Sequence, residues 1–284
     1  MASMAKFKIA GVQMDIQFGD VDANLNTIRS KLAETSQAGA SLTVFPECTT
    51  TGYCFGSLEQ ARPLCEPITG PTVKRAIEMA GEFDTRFVFG FLESHEDKVY
   101  NSLALVDGNG VLGSYRKVHL PTLGIDRFMT AGTEFNVIEL PEMRIGMLIC
   151  YDSSFPEAAR VLALQGADLI VLPTNWPPTS GLTADVVPAA RALENHVYFM
   201  AINRVGHEHG FDFIGKSRIC DPRGAKLDVA DHRNEGILFA EIDPEFARAK
   251  HLVSIPGEHE VHRMEDRRPG AYGLIAAENS RSTG

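Results

Sequence analysis

Basic clusters are what this chain lacks most plainly: no run of lysine and arginine is longer than a pair such as Arg116-Lys117 or Arg267-Arg268, and the formal net charge is −10. A nucleic-acid or anionic-membrane partner would need a positive face, so neither is expected. No apolar stretch approaches the ~20 residues of a membrane-spanning helix. Residues Met1 to Lys6 lack the apolar core of a signal peptide, so the expected location is cytoplasmic. The five cysteines (Cys48, Cys54, Cys65, Cys150 and Cys220) form no C-x-x-C pair, and a chain of 284 residues needs no disulfide staples, so reduced thiols are expected. Cys48, Cys54 and Cys65 stand close together without a histidine at zinc spacing, and His207-Glu-His-Gly210 has no third ligand beside it. The expectation is therefore no metal and no other cofactor. Internal repeats and low-complexity segments are also absent.

What is present suits a folded domain. Hydrophobic residues make up 44% of the chain and charged residues 23%, enough to bury a substantial core. A single domain over residues 1–284 is expected, with its core at about 6–275 and a mobile tail from about Glu278. Strand-like and helix-like segments alternate. Phe7 to Met14 reads as a strand, and Val21 to Ala38 carries Val21, Leu25, Ile28 and Leu32 at helical spacing behind Asp20 as a cap. Ser41 to Phe45 and Arg86 to Phe91 read as strands, with a proline-opened helix from Pro71 to Ala80 between them. Val99–Val106 and Val111–Val118 read as strands joined by a hairpin at Asp107-Gly-Asn-Gly110. Hairpins mixed with helical crossovers predict an α/β (α+β) protein with helices outside sheets.

Three reactive side chains fall at predicted strand ends. Cys150 closes the apolar run Met143 to Ile149 and precedes Tyr151-Asp-Ser-Ser-Phe-Pro-Glu157, a turn into a helix. The opening helix would favour a thiolate and an oxyanion there. The alternative is a thiol buried as a small hydrophobe. Glu47 follows Val44-Phe-Pro46, and Lys117 lies in Ser114-Tyr-Arg-Lys-Val-His-Leu-Pro121. Ligands gather at the carboxyl edges of open sheets, so the three could share one crevice. Taken singly, Glu47 and Lys117 read equally as solvated surface charges.

Taken together, the strand-Pro-Glu segment around Glu47, the Tyr-Arg-Lys-x-His-Leu segment around Lys117 and the Cys-Tyr-Asp-x-x-Phe-Pro-Glu segment at Cys150 resemble the nitrilase superfamily of carbon–nitrogen hydrolases. Similarity continues through Leu172-Pro-Thr-Asn-Trp176, Arg191-Ala-Leu-Glu-Asn195, Asn203-Arg-Val-Gly206 and Asp221-Pro-Arg-Gly224, from about Lys8 to Ile275. The resemblance implies a four-layer α-β-β-α sandwich of two mixed sheets. It also implies a Glu-Lys-Cys triad in which Cys150 attacks, Glu47 moves protons, and Lys117 stabilises an oxyanion with the backbone N–H of Tyr151. Asp126, in Leu123-Gly-Ile-Asp-Arg127, stands where relatives more often carry a second glutamate; Glu134 is the other candidate, and pairing with Arg127 is the alternative reading of Asp126.

The implied activity is hydrolysis of a non-peptide C–N bond in a small linear amide through a cysteine thioester, with a carbamoyl-amine hydrolase or a nitrilase as the alternatives. A non-hydrolytic thiol protein or a silent scaffold remains open as a further class. Amide-cleaving relatives often show Tyr-Asp after the nucleophile where true nitrilases show Trp-Glu, so the resemblance at Tyr151-Asp152 favours amides over nitriles. Ser154 occupies a place where relatives acting on carboxylate substrates carry arginine, which points to a neutral or cationic substrate unless Arg127 or Arg204 supplies a cation. Tyr53, Asn175 and Trp176 follow strand ends and are expected to line the substrate crevice, with core packing as the alternative for both rings. The partners implied are a small-molecule substrate and a second copy of the chain, giving a homodimer or higher homo-oligomer.

Overall fold

The computed structural model describes residues 6–277, so the tail expected from Glu278 onward lies outside the described residues. By their internal contacts these residues divide after Arg248 into a large unit and a smaller one. The large unit is built on two six-stranded sheets.

The first sheet uses β1 (Phe7–Gln13), β2 (Leu42–Val44), β3 (Arg86–His95), β4 (Lys98–Asp107) and β5 (Gly110–Arg116). The second is formed by β6 (Val137–Glu139), β7 (Arg144–Met147), β8 (Leu169–Thr174), β9 (Tyr198–Asn203), β12 (Ser217–Cys220) and β13 (Lys226–Ala230), with β10 (Val205–Glu208) and β11 (Phe211–Ile214) making a separate hairpin. The chain then returns to the first sheet as β14 (Gly236–Ile242), antiparallel to β1. At the centre of each sheet lie three parallel strands, β1-β2-β3 and β7-β8-β9, with antiparallel strands at the margins.

Parallel neighbours need long crossovers, and helices supply them. These are α1 (Val21–Gln37), the short α2 (Leu58–Ala61) and α3 (Pro71–Glu82) in the first half, then α4 (Pro156–Leu164) and α5 (Gly181–Asn195), with α6 (Pro244–Arg248) after β14. Asp20 caps α1 by accepting from Ala23 N–H at 2.9 Å, as its position predicts. The apolar stripes of α1 and α3 (Leu25, Ile28, Leu32, Val73, Ala76) pack with Val12, Phe87 and Phe89 of the first sheet. α4 covers the second sheet, its Leu162 lying over Gly146. The sheets themselves meet at β1 and β9. A Cβ at Gly11 would strike Ile202 and come within 2.7 Å of Met200, so the missing side chain permits the close approach. The result is the four-layer α-β-β-α sandwich.

The smaller unit carries the hairpin of β15 (His251–Ile255) and β16 (His259–His262), followed by turns through Ile275. Among the described residues, no helix is long and apolar enough to cross a membrane.

Candidate active site

Glu47 leaves β2 in a tight turn. Cys48 takes a positive φ of 48°, the Thr50 N–H reaches the Gly90 carbonyl at 3.2 Å, and the Gly52 N–H closes on the Cys48 carbonyl at 2.9 Å. This turn rests directly on β3 at Gly90, where a Cβ would meet the Cys48 nitrogen and stand 2.9 Å from the Glu47 carbonyl carbon. Lys117 lies just past β5, its N–H held by the Asn101 carbonyl at 2.9 Å. Asp126 sits in the short turn Gly124–Phe128. All three charged side chains are buried.

They form one network. Lys117 Nζ donates to Glu47 Oε1 at 2.7 Å and to Asp126 Oδ2 at 2.6 Å. Asn101 Nδ2 donates to Glu47 Oε1 at 2.7 Å and to Asp126 Oδ1 at 2.8 Å, and the Tyr53 hydroxyl donates to Asp126 Oδ2 at 2.7 Å. Both oxygens of Asp126 are therefore taken, whereas Glu47 Oε2 is buried with no hydrogen-bond partner. Burial strongly opposes the ammonium of Lys117, yet the Asp126 and Glu47 carboxylates together hold its pKa well above the ordinary lysine value. Burial raises the Glu47 carboxyl, against the pull of Lys117.

Cys150 comes from the other sheet, opening the 3-10 turn Cys150–Ser154 after β7 with φ +44°. A non-glycine residue in this region costs roughly 1–3 kcal/mol and needs its surroundings to hold it. They do. The Ser153 hydroxyl donates to the Cys150 carbonyl at 2.7 Å, and Arg191 of α5 donates to the Ser153 carbonyl at 3.0 Å. Buried Asp152 accepts from Ile149 N–H at 2.9 Å and Tyr115 O–H at 2.8 Å, and from His119 N–H at 3.0 Å. The thiol turn is thus tied to the Lys117 segment, with the His119 ring stacked on Phe155 at 3.7 Å.

Burial pushes the Cys150 thiol well up, and Glu47 adds to the rise, while Lys117 and the backbone N–H of Asn175 oppose it. The sequence expectation of a favoured thiolate is corrected here. A short 3-10 turn, not an α-helix, opens at Cys150, and burial acts against the thiolate.

The other expected residues separate. Tyr53 joins the carboxylate network, and the Asn175 side chain donates to the Glu47 carbonyl at 3.2 Å. Trp176 is buried, its backbone N–H held by Asn203 at 2.8 Å. Tyr151 is 40% exposed, edge-on to Phe155, and Ser154 is exposed while Ser153 turns inward. Glu134 is exposed and bonded to Asn136, well apart in role from buried Asp126. Arg204, offered as a cation for substrate, is fully buried against Glu208 and Asp15 and is not available for that.

Sequence reasoning passed over Asn101 and Glu208. Asn101 carried a signal, a polar residue amid the apolar strand Val99–Val106. Glu208 accepts the Tyr53 N–H at 2.7 Å and the Cys54 N–H, fixing the Tyr53 loop from β10. Among the described residues, no cluster of His, Cys, Asp and Glu is arranged to hold a metal ion.

The fold is the α-β-β-α sandwich, and similarity to known proteins fixes the family. Residues 8–251 match the carbon–nitrogen hydrolase family, so the chain belongs to that family. It is 38% identical over 249 residues to a nitrilase of Pyrococcus abyssi, covering 86% of this chain and 93% of that protein. It is 32% identical over 278 residues to the N-carbamoylputrescine amidase of Solanum tuberosum, covering 90% of each. Its fold superposes with TM-score 0.80, at 23% identity over 96% of this chain and 97% of the other, on a variant of the amidase from Nesterenkonia sp. AN1 that carries the acetamide moiety of fluoroacetamide on its active-site cysteine.

Proposed function

We propose that the protein hydrolyses the C–N bond of a small linear amide through a thioester on Cys150, releasing ammonia or an amine and a carboxylic acid. Cys150 Sγ attacks the carbonyl carbon as Glu47 Oε2 takes the thiol proton, and the carbonyl π electrons move onto oxygen. Lys117 Nζ and the Tyr151 N–H stabilise that oxyanion. Glu47 then passes its proton to the departing nitrogen, the C–N bond breaks, and the thioester remains. Water attacks the thioester with Glu47 as base, giving the acid and restoring the thiol.

One observation carries the choice of Glu47 over Asp126 as the proton carrier. Asp126 accepts from Asn101, Lys117 and Tyr53 on both oxygens, but Glu47 keeps one oxygen without a partner. A raised thiol supports the same scheme, because attack then requires a base at the moment of bond formation.

Carbamoyl amines form the second reading, favoured by the Solanum tuberosum relative and by Arg204 being committed to its own ion pair rather than to a substrate carboxylate. The test is ammonia release from a panel of aliphatic amides, carbamoyl amines and nitriles, with intact-mass analysis of the trapped protein. An amide-derived acyl adduct on Cys150, lost in Cys150→Ala, is expected. Absence of any turnover while Cys150 cycles readily with peroxide would make it a redox thiol instead.

A further inference from the structure

Two buried carboxylates share one lysine, and that alone does not decide which of them acts on the thiol. Asn101 touches all three partners. Its side chain donates to Glu47 Oε1 and Asp126 Oδ1, and its backbone carbonyl accepts the Lys117 N–H. We propose that Asn101 is the positioning residue that makes Glu47 the base, with its amide locked in one orientation by the thiol of Cys48.

The orientation follows from donor and acceptor chemistry. Carboxylate oxygens only accept, so the amide NH2 must face them. Asn101 Oδ1 is then left facing Cys48 Sγ at 3.6 Å, and the S–H supplies the donor. Burial, with Glu47 and Asp126 adding to it, holds the Cys48 pKa well up, so that proton stays in place. With Oε1 pinned by two donors, Glu47 cannot turn to offer Lys117 both oxygens, and Oε2 is kept for the thiol. Asp126, gripped by three donors, is spent on positioning. The same geometry gives Cys48, next to the base and fully buried, a task distinct from that of the nucleophile.

The proposal rests on Glu47 being the base, and its test separates the two ideas. The groups facing Glu47 are Lys117 from the end of β5, Asp126 from its turn, Cys150 and Cys48, with Tyr53 behind Asp126. Asn101→Leu keeps the shape and removes both donated bonds. The readouts are the pH profile of kcat/KM for amide hydrolysis and the pH profile of Cys150 alkylation by fluoroacetamide, which needs no known substrate.

Loss of a hydrogen bond to a carboxylate should move the acid limb of both profiles to higher pH by about one unit. Misplacement of the base should lower kcat about 10²-fold. Cys48→Ala should move the limb the same way by less, and Cys48→Ser, which keeps a hydroxyl donor, should bring it back toward wild type. A merely structural asparagine would lower the yield of folded protein without moving the limb. A folded Asn101→Leu with the wild-type limb overturns the proposal, and if that variant does not fold, an unmoved limb in Cys48→Ala does so. Retained turnover in Glu47→Gln instead defeats the base assignment, and the proposal with it.

Discussion

Replacing Glu208 by glutamine tests how the Tyr53 loop is held. Glu208 and Arg204 form an ion pair whose side chains are 1% and 0% exposed. Glutamine preserves an acceptor for the Tyr53 and Cys54 N–H groups but removes the charge opposite Arg204, which is left with partly exposed Asp15 at 2.8 Å and the carbonyls of Ile16 at 3.0 Å and Val205 at 3.2 Å. Breaking a buried pair from one side costs about 3–5 kcal/mol, and the surviving partners place this case near 3. At ~2–4 °C per kcal/mol for a chain of this size class, Glu208→Gln should melt roughly 6–12 °C below wild type. Removing the stranded charge as well should recover part of the loss, so Arg204→Met/Glu208→Gln should melt above Glu208→Gln alone. Thermal unfolding followed by circular dichroism at neutral pH reads both. A single variant within about 1 °C of wild type, or a double variant less stable than the single, would refute the reasoning.

Glu47→Gln should abolish turnover, by at least ~10²–10⁴-fold, yet stabilise the fold at neutral pH. Burial raises the folded-state pKa of Glu47, so the folded protein holds that proton more tightly than the unfolded chain; the stability this gives is full below about 4.5 and is lost as pH rises through the folded value. Neutral glutamine removes that loss, so the gain in Tm should be present near neutrality and shrink toward low pH, and a lower Tm at neutral pH would contradict it. Gly90→Ala should displace the Glu47 turn through backbone contact, losing about 1–3 kcal/mol and reducing kcat more than it changes KM; a crystal structure with the turn unmoved would refute this. The chain is expected to sediment as at least a dimer at micromolar concentration, and a single species of monomer mass would overturn that.

The candidate residues Glu47, Lys117 and Cys150 were legible as a set because each lies at or just past a strand end. Glu47 and Cys150 each follow an apolar run and Lys117 follows the end of β5, and a polar residue in such a place must either face solvent or find partners inside the fold. Asp126 was also readable, through the residues around it. The failures have a different origin. Asn101 lies inside a strand, where nothing in sequence says which of several buried polar residues meets a distant carboxylate. His207-Glu-His-Gly210 reads as a solvated loop, but the segment enters a hairpin whose period-2 alternation turns Glu208 inward and His207 and His209 outward. Arg204 looked like a spare cation only because its partners, Asp15 and Glu208, are set by tertiary packing. Burial, which sequence reveals poorly, raises the Cys150 thiol against the thiolate expected at an opening helix.

The two sheets carry different halves of the chemistry proposed above: Glu47, Asn101 and Lys117 belong to the first, Cys150 and Asn175 to the second. Neither half is competent by itself. The first sheet holds the lysine and carboxylates and the second holds the thiol, and because β14 returns to pair with β1 only after every strand of the second sheet, the first sheet is completed last. On the proposed mechanism turnover requires the two sheets to be docked, so its recovery during refolding should track that docking rather than the formation of either sheet.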